Sequence, residues 1–439
     1  MMIQTTVKLS DYLMPLIIII LIIAAFILYP VITIISVSFL LLLYLIKLNP
    51  KTSIAALFFY IVLLQNIYLY LTDLTMTRFM LMAFYSIPFI VFIIQALLGR
   101  KYTYYLDSYI FFIIVFYIML MASALFISSY TSYGLEKLMY FTISIYGCFI
   151  LHGVITKSSE IKLIIKGYQI FSIILLLFSL VTFYDERLNL GKYFMGRFST
   201  LGINPIWISR YFSYGIIVNI YFILKNKRNF LLSLLYILLS GFYLYFMFLS
   251  GSRGPLLGMI LAVIVFSVLY FRLNIKKILI TILIIYLAFT IVHSFVKEGT
   301  DRISGNRNSA SSDNARIIAQ VNAYELFTRN IVTGSGFGAY NEFRLKYPHN
   351  LFSEIISETG LIGLFLLLII LGISLWRIIK LDKSRLDHCV VIAWLLAAFV
   401  NANLSGHIGY NTIFWLCLYL VNYIYWLQEN QKIKQIEVT

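Results

Sequence analysis

The chain has 439 residues, of which 61% are hydrophobic and only 12% charged, and its mean hydropathy is +0.91. Soluble domains average about 25% charged residues, so a soluble globule is excluded. A net charge of +16 would point to nucleic acid in a soluble protein; here its distribution along the chain reads as a topology signal, and no nucleic-acid partner is expected.

Residues 1–11 are polar, and the apolar run after them continues through Tyr29 without a small-residue cleavage site, so it reads as an uncleaved first span. A bilayer core of about 30 Å takes roughly 20 apolar residues in a helix. That length predicts spans over 12–29, 31–47, 54–71, 79–98, 108–127, 138–155, 163–183, 206–224, 230–249, 255–272, 278–296, 351–376, 388–404 and 411–427. The expected fold is therefore an all-α polytopic membrane protein of about 14 transmembrane helices, with Tyr29-Pro30 as the whole turn between the first two. One long polar interval, 296–348, breaks the series. The chain divides accordingly into an N-terminal bundle (1–190), helices carrying arginine motifs (191–296), a large loop (297–350) and C-terminal helices (351–439).

Basic residues set the orientation. Lys47 and Lys51, Arg100 and Lys101, the lysines at 157, 162 and 166, and later clusters around 225–228, 272–277 and 377–385 fall in alternate loops. With Lys8, Lys432 and Lys434 they make 20 of the 34 basic residues. Positive charge is retained in the cytoplasm, so both termini are expected inside and the long loop outside. Two outer places are nonetheless basic: Arg187, Lys192, Arg197 and Arg210 around the seventh connection, and seven Lys or Arg in the long loop. An outer basic cluster implies an anion, and lipid phosphate is the one a membrane offers. No internal repeat is visible, which argues against an inverted-repeat transporter. Cys148, Cys389 and Cys417 show neither metal nor redox spacing and read as packing residues.

Several short motifs carry candidate chemistry. Arg210 falls about one turn inside the eighth span, where a guanidinium is costly; it either snorkels to the interface or faces a cavity as an anion ligand. Arg197 lies in the preceding loop. Leu249-Ser250-Gly251-Ser252-Arg253-Gly254-Pro255 is a tight turn, and its chemistry needs Gly and Pro but no arginine. A fixed backbone presenting one guanidinium suits oxyanion binding.

Within the long loop Ser311-Ser312-Asp313 signals a helix start, followed by Ile317, Ile318, Val321, Tyr324 and Phe327 at helical spacing. With Asp313 as N-cap, Arg316 occupies the first turn, where a cation is disfavoured unless both face a phosphate. Gly334-Ser335-Gly336-Phe337-Gly338 lacks the rest of a dinucleotide fingerprint and reads as a flexible turn. His349-Asn350 opens the twelfth span, with Glu354 and Glu358 beyond. An imidazole suits proton removal near neutral pH. His293 and His407 map to the same side, but the separations match no metal-ligand pattern, and no metal is expected.

Gly251-Ser252-Arg253-Gly254, then Gly334 to Gly338, His349-Asn350 and Glu358-Thr359-Gly360-Leu361-Ile362-Gly363 together resemble the O-antigen ligase and polymerase superfamily, over roughly residues 190–365. These are polytopic bacterial glycosyltransferases with a large periplasmic loop before a late span. The resemblance implies a C-class glycosyltransferase fold, no cofactor, and metal-independent, inverting transfer from a glycan carried on undecaprenyl diphosphate. It also implies an inner-membrane location with a periplasmic active site. Arg253 and Arg316 match the family's loop and helix arginines, expected on the diphosphate; Arg210 and Arg197 are both candidates for a further one. His349 matches the histidine thought to act as base, with Asn350 and Glu358 in support. No tryptophan follows Arg316 where ligases often carry one.

A polymerase would take a second lipid-linked repeat unit as acceptor, with a chain-length regulator as a further expected partner; a ligase would take lipid A–core. The richness in Ile, Tyr, Phe and Asn favours the polymerase. A lipid-linked oligosaccharide flippase, which predicts charges deep within the spans, is the competing class.

Overall fold

The structure is a computed structural model that describes residues 107–154, 157–184, 193–194, 197–200, 203–271, 309–343 and 347–436, with isolated positions at 55, 59 and between 274 and 290. The first four expected spans and the eleventh lie outside these residues, apart from such isolated positions. Among the described residues ten α-helices follow in order: α1 (Ser108–Ala122), α2 (Thr131–Val154), α3 (Ile161–Tyr184), α4 (Pro205–Lys225), α5 (Phe230–Leu249), α6 (Arg253–Phe271), α7 (Ser309–Arg329), α8 (Leu351–Lys380), α9 (Leu386–Ala402) and α10 (Thr412–Ile436). A two-residue hairpin, β1 (Tyr193–Phe194) with β2 (Arg197–Phe198), pairs Tyr193 with Phe198 antiparallel.

Each of the nine expected spans that fall on described residues is met by a helix. Six segments there are both long and apolar enough to cross a bilayer, including Ser108–Ile127, Pro205–Lys225 and Leu351–Lys380. The chain is an all-α multi-pass membrane protein. α4 lies at the centre of the bundle, buried at nearly every position from Trp207 to Phe222 and packed against α3, α5, α6 and α9. α5 shows the opposite pattern: Leu231, Leu235, Ile237, Leu238 and Phe242 are exposed, as a lipid-facing helix requires. Asn204 caps α4, accepting the Ile206 amide at 2.9 Å, with Pro205 at its first turn.

Two expectations change. α2 starts at Thr131, seven residues before the expected span, so Lys137 lies inside a helix rather than in a short loop. The glycine segment is a wedge and not a flexible turn. α8 breaks at Gly360 (φ 64°), which strands backbone groups on either side. Residues 331–336 fill the break: Leu361 and Ile362 amides donate to the Ile331 and Val332 carbonyls, at 2.9 and 3.2 Å. The Ser335 and Gly336 amides donate to the Ser357 and Glu358 carbonyls, at 3.2 and 2.9 Å. A Cβ on Gly334 would sit 2.4 Å from the Glu358 backbone, and one on Gly336 2.3 Å from Ser128. Both glycines also have positive φ, so only glycine fits there.

Candidate functional site

Four arginines from four separate elements line one small, open cavity: Arg197 from β2, Arg210 from α4, Arg253 at the start of α6 and Arg316 from α7. The rest of the wall is Ile206, the Gly251–Pro255 turn, Asn401 at the end of α9, and Leu404 and Ser405 from the α9–α10 connection. Arg253 is the first helical residue of α6, so the partial positive charge of that helix end adds to the guanidiniums.

The two arginines left open by the sequence have different settings. Arg197 binds the turn that carries Arg253, donating through Nε to the Ser250 carbonyl at 2.7 Å and through Nη2 to Ser252 Oγ. The Gly251 φ of 57° gives this turn its left-handed corner. Arg210 is 2% exposed and does not snorkel. Its Nη1 donates to Asn411 Oδ1 at 3.0 Å and its Nη2 to the carbonyls of Asn401 and Ser405, at 2.5 and 2.7 Å. The guanidinium stacks 4.3 Å over Trp207. All three acceptors are neutral, so these bonds fix the geometry while leaving the positive charge to act on the cavity.

Arg316 reaches the cavity for a reason other than the expected one. α7 is already helical at Ser309, so Asp313 is not its N-cap and Arg316 sits two turns in, away from the helix end. The expected apolar face is also reversed. Ile317, Ile318, Val321 and Tyr324 are exposed, whereas Ala319, Ala323 and Leu326 are buried against the protein. Arg316 lies beside the small residues of that buried face because short side chains let the helix come close.

His349 does not line the arginine cavity but lies within electrostatic reach of it. Burial, then Arg316, then Arg210, push its pKa down to about 4, so the imidazole is neutral at pH 7 and able to accept a proton. It has a φ of 62°, the one positive value among described non-glycine residues. Such a conformation costs about 1–3 kcal/mol and is typical of functional positions. Its ring packs edge-on to Tyr347 at 4.7 Å. Two buried nitrogens here make no hydrogen bond, His349 Nδ1 and Arg210 Nε. Buried polar atoms are normally satisfied; Asn401 Oδ1 and Asn403 Oδ1 are unsatisfied as well.

Asn350 caps α8, accepting the Ser353 amide at 3.0 Å, and donates to the Asn403 carbonyl at 3.4 Å. Glu358 is elsewhere. It is fully buried with Lys137 and Glu354: Lys137 Nζ lies 2.5 Å from Glu354 and 2.6 Å from Glu358. The remaining oxygens accept backbone amides, from Ile408 at 3.0 Å and Tyr340 at 3.3 Å. This cluster ties α2, α8, the loop and the α9–α10 connection together. Sequence reasoning missed Lys137 and the connection 401–411. The signal for the latter was present: Asn401, Asn403, Ser405, His407 and Asn411 are more polar side chains than a tight turn needs.

A polytopic helical membrane protein with a cationic cavity beside a neutral histidine is the class that fold and site define. Within it, residues 234–368 match the family model described as O-antigen ligase. That segment is similar to the O-antigen ligase family, in keeping with the resemblance that the motifs carry, and the family's members are glycosyltransferase-like enzymes. The match runs from α5 to the middle of α8; it includes Arg253, Arg316 and His349 and leaves Arg197, Arg210 and the 401–411 connection outside. No curated protein matches the chain.

Proposed function

We propose that this chain is an O-antigen or related surface-polysaccharide polymerase, joining oligosaccharide repeat units carried on undecaprenyl diphosphate by metal-independent, inverting glycosyl transfer. The observation that carries this reading is the convergence of four guanidiniums on one cavity beside a neutral, strained imidazole. His349 takes the proton from the acceptor sugar hydroxyl. That oxygen bonds to the donor's anomeric carbon from the face opposite the diphosphate. The carbon–oxygen bond to phosphate breaks, and its electron pair leaves on the diphosphate. Fixed guanidiniums stabilise this growing negative charge without a divalent metal. Arg253 and Arg316 are assigned to the diphosphate. Arg210 holds the wall and adds its field, and Arg197 fixes the Arg253 turn. The site faces the periplasm, the protein lies in the inner membrane and both termini are cytoplasmic.

The repeat-unit acceptor rests on composition and on the absence of a tryptophan after Arg316. Purified protein in nanodiscs, given lipid-linked repeat units alone, is expected to release undecaprenyl diphosphate and form longer glycan. Release only when lipid A–core is added makes the chain a ligase. No release with either acceptor, together with movement of the donor across a bilayer, makes it a flippase.

A further inference from the structure

We propose that the Ile331-Val332 tip of the loop and Tyr324 on α7 form a membrane anchor, seated in the near leaflet at the hydrocarbon boundary. The occupant is bilayer lipid. α8 has 30 residues, so it is about 45 Å long against a hydrocarbon core of about 30 Å. Part of it can therefore stand outside the core. The polar side chains of its first turns, Glu354, Ser357, Glu358 and Thr359, are buried in the protein, whereas from Leu361 to Trp376 no charged residue occurs. The outward residues Leu361, Ile362, Phe365 and Leu368 are apolar and exposed. The boundary falls at Gly360, where the helix breaks.

The loop enters that break. Its Ile331 and Val332 carbonyls bond the Leu361 and Ile362 amides, so both residues are held at the depth of the first lipid-facing turn of α8. Their side chains are 49% and 59% exposed and continue the apolar flank of the span. From this point α7 runs back along the part of α8 outside the core. Ser335 Oγ donates to the Leu326 carbonyl at 2.8 Å, and Gln320 Nε2 to the Pro348 carbonyl at 2.6 Å. Tyr324, 68% exposed, comes at headgroup height, where tyrosines concentrate. The anchor sets how far α7, and with it Arg316, stands above the membrane.

The test reads location and not activity, so it fails or succeeds independently of the glycosyltransferase reading. The native cysteines at 148, 389 and 417 are buried, so V332C and Y324C chains can be spin-labelled selectively in nanodiscs. Oxygen collisions are expected to exceed those with a water-soluble nickel chelate at both sites, with Val332 the deeper. Nickel-favoured collisions at either site overturn the anchor. So does shielding from both reagents, which would mean that protein covers this face.

Discussion

The cavity and the Lys137 cluster both bury charge near the ends of helices, and they do so in opposite ways. Lys137 sits between two carboxylates, each finished by a backbone amide, and all three side chains are fully enclosed. Arg210 is as deeply buried, yet its bonds go to neutral oxygens and one nitrogen has no partner. A cation enclosed by its own carboxylate partners is structural, because burying a charge is tolerable only when it is paired. A charge held rigid by neutral groups keeps its field for something that arrives. The comparison thus separates scaffold from candidate site within one face of the molecule, and it separates the motif residues too: Glu358 falls with the scaffold, Arg210 with the cavity.

The largest expected effect breaks the comparison on the cavity side. His349→Ala should lower undecaprenyl diphosphate release about 10²–10⁴-fold, the usual contribution of a general base, and Arg253→Lys about 10²-fold, because a point charge does not replace a fixed fork. Thermal stability should hardly change in either variant. On the scaffold side, Lys137→Met leaves two carboxylates buried without their cation and should cost about 3–5 kcal/mol, read as a lower melting temperature in detergent. Adding Glu354→Gln and Glu358→Gln should restore much of it. Recovery of stability without the lysine is the result that marks the cluster as structural; a folded triple variant with no turnover would instead move it into the site.

A pH profile sharpens the contrast further. Protonated His349 is the inactive form, and its pKa lies near 4 in the free protein. The acid limb of kcat/KM, which reports the free enzyme, should therefore fall near pH 4 and not near 6.5. Donor diphosphate offsets the Arg316 and Arg210 charges, so the limb of kcat should lie higher. Equal limbs near 6.5 would remove the electrostatic link between imidazole and cavity. The smallest effect belongs to an exposed pair: Arg329 bonds Glu325 and Glu342 at 2.7 Å each, and Arg329→Ala should cost under about 1 kcal/mol, since solvent screens such pairs.

Much of the fold was legible. Apolar length alone placed α3, α4, α5 and α6 to within two residues at each end, because a bilayer fixes how long a helix must be. Part of the site was legible as well: Arg210 and Arg253 stand out because a guanidinium at an apolar span or a tight turn has no local reason to be there, whereas Arg316 was singled out for a helix start at Asp313, and α7 is already helical at Ser309. The role of Arg197, the exposed face of α7 and the wedge at 331–336 were not. Each depends on which distant segment a residue meets, and local spacing carries no information about that.

By itself, then, the sequence determined that this is a helical membrane protein, since hydrophobic length acts locally and adds along the chain. Tertiary structure alone decided which charges are paired and which face the cavity. Lys137 finds its carboxylates more than two hundred residues away, and Arg210 takes its rigidity from a turn almost as distant. Electrostatic pairing depends on separation in space, and only the packed chain sets that separation.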